Sequence, residues 1–114
     1  MNEPKGKVIK CGFLLKRSKY FHLWKTRFCI LTNHYLFAFT GVEKDADCTM
    51  TLLLEDCIDV KDSDKELGKD KSFCIKTNKN IIYYFRVEEE DERDEWIASI
   101  HQFINKKIDR DIIE

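Results

Sequence analysis

The chain has 114 residues, 43% of them hydrophobic and 36% charged, with a formal net charge of -1. That length holds one domain and that apolar content supports one core, which excludes a disordered tail and leaves little room for a second domain. No stretch supplies the roughly 20 consecutive apolar residues of a membrane span, and the polar, basic start from Met1 to Lys10 has no apolar centre of the secretory kind, so any membrane contact is expected from outside the bilayer.

Short β-type runs then follow one another with turn residues between them. Val8 to Lys16 is the first predicted strand and Leu23 to Thr32 the second, with Asn33-His34 turning into a third at Tyr35 to Thr40. After a polar loop from Gly41 to Asp47, Thr49 to Leu54 and Cys57 to Lys61 read as two more strands, parted by Glu55-Asp56. Asp62 to Asp70 is a charged loop holding Gly68, and Lys71 to Thr77 and Ile81 to Val87 form the last pair around Asn78-Lys79-Asn80. Seven strands at this spacing predict an antiparallel barrel or sandwich. The period then changes: Trp96, Ile97, Ile100, Phe103, Ile104 and Ile108 recur at three- and four-residue intervals, the stripe of an amphipathic helix. Acids from Glu89 to Glu92 at its start and Lys106 and Lys107 near its end suit the helix dipole. A helix with one apolar side needs an apolar surface to cover, and an open barrel end is the expected one.

The five cysteines, Cys11, Cys29, Cys48, Cys57 and Cys74, contain no close pair, and His22, His34 and His101 add none. Metal sites usually take two ligands from one turn, so no metal is expected. Reduced thiols, several acting as core filler, fit a cytoplasmic protein. The charges are segregated. Met1 to Tyr35 carries eight basic residues against Glu3, whereas Glu88 to Glu95 carries seven acids and one base. One positive end would be drawn to an anionic surface, and with no basic excess overall a nucleic-acid partner is not expected. A merely solvated face remains the bland alternative.

Alternation along strands gives those cations a geometry. Leu14 and Lys16 share a face, as do Lys25, Arg27, Cys29 and Leu31. If Leu14, Cys29 and Leu31 line the interior, Lys16, Lys25 and Arg27 stand on the inward face near the mouth. Cations there are costly unless something anionic meets them. Phosphate would serve, lysine as a point charge and arginine as a two-toothed grip; so would Asp or Glu from neighbouring loops.

The stretch Cys11-Gly-Phe-Leu-Leu-Lys16, then Leu23-Trp-Lys-Thr-Arg-Phe-Cys-Ile-Leu31, resembles the opening of the pleckstrin-homology family, and Trp96 is similar to the tryptophan of that family's closing helix. The resemblance spans about Lys10 to Lys107 and implies a mainly β fold: a seven-stranded antiparallel barrel of two near-orthogonal sheets, capped by one C-terminal helix. It implies a domain over residues 8–108, with 1–7 and 109–114 as flanking residues. Lys16, Lys25 and Arg27 look most like the phosphoinositide motif of cytohesin-type domains, with protein kinase B and Tec-kinase domains as relatives. The resemblance implies that Lys16 and Arg27 contact ring phosphates, with Lys25 beside them and Arg17 and Lys19 on the rimming loop. That loop, Arg17-Ser-Lys-Tyr-Phe-His-Leu23, also offers Tyr20 and Phe21 for insertion into the membrane interface; the alternative is that they fold back on the core. His22 either binds phosphate when protonated or is an ordinary surface histidine.

There are departures from the cytohesin-type pattern. Phe37 stands where those domains carry a third-strand tyrosine, Asp47, Cys48 and Thr49 offer no base, and Lys79 and Asn80 align with an Asn-His pair, the resemblance implying that Lys79 restores a cation and Asn80 donates a hydrogen bond to the headgroup. Binding of a bis- or trisphosphate headgroup is expected, its selectivity left open. The function implied is peripheral membrane recruitment at the cytosolic face by a monomeric module with no cofactor. A protein-interaction module on the same scaffold is the alternative. An enzyme is not expected, because no nucleophile–base pair, carboxylate pair or glycine-rich phosphate loop is visible.

Overall fold

A computed structural model describes residues 6–104 of the chain. Seven strands form in order: β1 (Val8–Arg17), β2 (Trp24–Thr32), β3 (Tyr35–Phe39), β4 (Cys48–Leu53), β5 (Cys57–Asp62), β6 (Ser72–Thr77) and β7 (Ile82–Arg86). A one-turn helix, α1 (Asp64–Leu67), lies inside the loop between β5 and β6, and α2 (Glu90–His101) closes the described chain. The strand limits fall within a residue or two of those expected; α1 was not expected, since four residues are too few to show a helical period.

Every pairing is antiparallel, and the spatial order is β4-β3-β2-β1-β7-β6-β5. The two sheets expected from sequence are therefore joined by hydrogen bonds into one. β1 is the shared strand: it pairs with β2 along its length and with β7 only at Leu15 and Lys16. The edge strands β4 and β5 are linked by a 3-10 turn at Leu54–Asp56, where the Leu54 amide donates to the His34 carbonyl (2.9 Å) and the Asn78 amide to the Asp56 carbonyl (2.8 Å).

The core follows the period of two. Leu14, Cys29 with Leu31, Leu36 with Ala38, and Met50 with Leu52 are buried on the inner face of the first four strands. Val60, Phe73, Ile75 and Phe85 answer from the last three, with the Phe73 and Phe85 rings stacked 5.1 Å apart. Trp96, Ile100 and Ile104 are buried against them, and Ile97 and Phe103 pack partly against the same core. The helical stripe thus covers the barrel as its spacing predicts; Ile108, Lys106 and Lys107 lie outside the described residues. All five cysteines are free thiols. Burial pushes the Cys29 and Cys57 thiols up to about 12 and Cys74 to about 11, which keeps all three neutral filler.

A polar clamp ties the β5–β6 loop to α2. Arg93 donates to the Asp64 carboxylate at 2.6 Å, and the Ser72 amide donates to the same carboxylate at 2.8 Å. Burial opposes ionisation of Asp64, but the Ser72 amide and then Arg93 outweigh it, holding its carboxyl below the ordinary range.

Gly12 lets α2 approach β1: a Cβ built there would stand 3.7 Å from Cζ2 of Trp96, an ordinary contact. Gly12→Ala is therefore expected to melt within a few degrees of the native chain. Gly12→Leu would drive the indole from its seat and cost about 1–3 kcal/mol, visible as a lowered melting temperature. Equal melting of the native and Gly12→Leu chains would refute this packing.

Candidate functional site

The site grows from the β1–β2 hairpin. Leu14 pairs with Arg27 and Lys16 with Lys25, so all four occupy one face, the face on which Leu14 and Cys29 are buried. Lys16, Lys25 and Arg27 thus stand on the inward face at the loop end of the barrel, as alternation requires. Lys16 also pairs with Phe85 of β7, and its ammonium lies 5.7 Å from the centre of the Tyr83 ring. Burial, and next the neighbouring Arg27 guanidinium, push the Lys16 ammonium below the ordinary lysine range.

No carboxylate answers these charges among the described residues. The ion pairs found there join Lys10 to Glu95, Lys61 to Glu66, Arg86 to Asp70, and Arg93 to Asp64 and Asp94, and none of them uses Lys16, Lys25 or Arg27. Arg27 donates to a main-chain carbonyl, that of Thr26 (2.9 Å). The loop from 40 to 47 begins one step past the Phe28–Phe39 pair, and so beside Arg27. It is closed by the Thr40 amide donating to the Asp47 carbonyl at 2.9 Å.

The rimming loop is held at its neck. The Ser18 amide donates to the Leu23 carbonyl (2.7 Å), and the Leu23 amide donates to the Ser18 hydroxyl (3.0 Å). His22 adopts a left-handed φ of 53° to complete the bend. Beyond this neck, Tyr20 and Phe21 are 80% and 79% exposed, so neither folds back on the core. Lys19 sits 5.5 Å from the Tyr20 ring centre.

β1 and β7 part beyond their two paired residues, opening a cleft of about 170 Å³ between residues 16–19 with His22 and residues 81–84. Lys16, Arg17 and Lys19 all line it, and Arg17 lies 4.9 Å from the Tyr84 ring centre. Lys79 and Asn80 do not: they occupy the adjacent β6–β7 turn, where Asn80 has φ 63°. That turn folds around the Thr77 hydroxyl, which accepts from the Lys79 and Ile81 amides.

Sequence reasoning missed Tyr83 and Tyr84. The one signal available was a doubled tyrosine at the start of the last strand, and it does not say which strand lies opposite. The third-strand alignment also needs correction. Phe37 pairs with Ile30 on the outer face and stacks on Tyr35 at 5.3 Å; the inward residue is Ala38. An alanine brings no hydroxyl either, so that hydrogen bond to a phosphate remains missing.

Comparison with known proteins agrees with this architecture. The family model described as PH domain matches residues 8–105. Phosphatidylinositol 4,5-bisphosphate-binding protein SLM2 of Saccharomyces cerevisiae is 32% identical over 112 residues, covering 87% of this chain and 17% of that protein. The C-terminal PH domain of pleckstrin, solved with D-myo-Ins(1,2,3,4,5)P5, superposes with a TM-score of 0.72 at 28% identity, covering 86% of this chain and 99% of that one. The Slm1-PH domain solved with phosphoserine gives 0.70 at 26%, covering 82% and 91%. The chain belongs to the pleckstrin-homology family, whose scaffold is a binding module. It spans under a fifth of the length of the SLM2 protein it matches. The finer likeness to cytohesin-type domains rests on the motif residues alone.

The Lys16 environment is directly measurable. Titrating side-chain ammonium resonances by NMR should place Lys16 below the other lysines. Arg27→Gln should bring it only part of the way back, because burial is the larger cause. A Lys16 that titrates with the surface lysines would refute the crowding.

Proposed function

We propose that this domain binds the headgroup of a polyphosphorylated inositol lipid and so recruits its parent protein to the cytosolic face of a membrane. The observation that carries the reading is the trio Lys16, Lys25 and Arg27, gathered on one inward face with no carboxylate partner among the described residues. An anion carrying several phosphates would relieve their mutual repulsion and the desolvation of Lys16 together. Arg17 and Lys19 extend the positive surface along the loop, and Lys79 and Asn80 stand ready on the neighbouring turn. Tyr20 and Phe21 project from the same loop as the cations, so apolar insertion and headgroup binding act at one surface. Phosphoinositide binding by SLM2, and inositol phosphate binding by the pleckstrin domain, support the same chemistry. The role is one of binding rather than catalysis, in keeping with the scaffold.

The test uses liposomes each carrying a single phosphoinositide, at low and high salt, beside soluble inositol phosphates. Native protein should bind at least one species, more weakly at high salt. Arg27→Glu should lower affinity by about 10- to 100-fold, the loss of a charge-assisted contact of about 1.5–3 kcal/mol. Replacing Tyr20 and Phe21 by serine should weaken liposome binding while sparing the soluble headgroup. A folded native domain that binds no species would refute the proposal.

A further inference from the structure

A second cavity lies on the far side of β1 from the cations. It has a volume of about 360 Å³ and runs between β1, the end of β7 and the first turn of α2. Phe13 and Leu15 lie on the outer face of β1 and form its floor, and Phe13 is 53% exposed. Thr26 borders it from β2. Arg86, Glu88 and Glu92 complete the wall.

Three features of this groove lack partners. The buried Nε of Arg86 has no hydrogen-bond acceptor among the described residues, although the guanidinium lies 5.6 Å from the Trp24 ring centre and 3.8 Å from Asp70. A buried N–H without an acceptor is rare, but this one is too enclosed for a docked segment to reach. Glu92 is half-buried and forms no ion pair among the described residues, while Arg93 beside it is engaged with Asp64 and Asp94. Phe13 meets Phe28 edge-on at 5.2 Å but leaves half its surface open. Alongside, β7 pairs with β1 only at Leu15 and Lys16, so the β1 edge before Leu15 has no strand partner on this side.

The geometry points to a docking groove for an extended segment of a partner protein in which lysine or arginine alternates with apolar residues. An apolar side chain covers Phe13 and Leu15, the segment's main chain runs along the free edge of β1, and a cation meets Glu92 and Glu88. Charge selects the occupant, because Glu88 and Glu92 line the groove without an ion pair among the described residues, while its one cation, Arg86, is held beside Asp70. The groove is separate from the lipid surface. Phe13 and Arg17 are four residues apart on one strand, about 13 Å at the usual rise, and the loop tip lies farther still.

The probe is an acetylated, amidated hexapeptide alternating lysine with isoleucine, added to the isotope-labelled domain without lipid, with the glutamate–isoleucine peptide as control. Amide shifts are expected at Phe13 to Leu15, Thr26 and Arg86 to Glu92 for the basic peptide alone. Phe13→Glu should weaken binding at least tenfold, and Glu92→Lys should reverse the preference between peptides, so one variant decides if the other fails to fold. No shifts at these amides, equal binding of the acidic peptide, or unchanged binding in a folded variant would each overturn the groove. None of these results would bear on headgroup binding, which the liposome assay reads separately.

Discussion

The seating of Trp96 over Gly12 is the contact on which the rest of the molecule depends. A curled sheet of seven strands leaves its interior open, and the indole, 1% exposed, fills that interior together with Ile100 and Ile104. Truncating a buried tryptophan typically costs about 3–5 kcal/mol, a large share of the 5–15 kcal/mol that holds a small domain folded. The contact also decides direction. With the helix packed against the core, the hairpin end of β1 is left uncovered, and that is where the cations stand.

The electrostatics follow from this arrangement. A chain of almost no net charge is strongly polarised, because its basic residues concentrate in the first hairpin and its acids at the start of α2. The ion pairs that do form, Lys10 with Glu95 and Arg93 with Asp64, fasten the helix to the barrel. They use none of the hairpin cations. Lys16 and Arg27 are consequently left close together over a buried thiol that stays neutral, an arrangement that favours an anion carrying more than one charge.

Strand β1 sets two surfaces apart by the alternation of its own side chains. Leu14 and Lys16 turn inward to core and cations, whereas Phe13, Leu15 and Arg17 turn outward. The short pairing with β7 accounts for both cavities: past Lys16 the strands separate to open the tyrosine-lined cleft, and before Leu15 the edge is left for the groove beside α2. One irregular joint in the sheet therefore gives a small domain two places at which to bind.

Local periodicity by itself determined the seven strands, the capping helix and the common face of Lys16, Lys25 and Arg27, because a period of two assigns faces without knowledge of neighbours. It also determined that Tyr20 and Phe21 sit in a loop, though not that a hydrogen-bonded neck holds them outward. The family likeness, not periodicity, set Phe37 at the tyrosine position, and alternation offers no check there, since Tyr35–Phe39 is hydrophobic on both faces. Only the tertiary structure decided that Tyr83 and Tyr84 face the first loop, that the hairpin cations lack carboxylate partners among the described residues, and that Phe13, Arg86 and Glu92 share one groove. Those residues come from strands and a helix far apart in the chain, and long-range pairing leaves no period in a sequence from which it could be read.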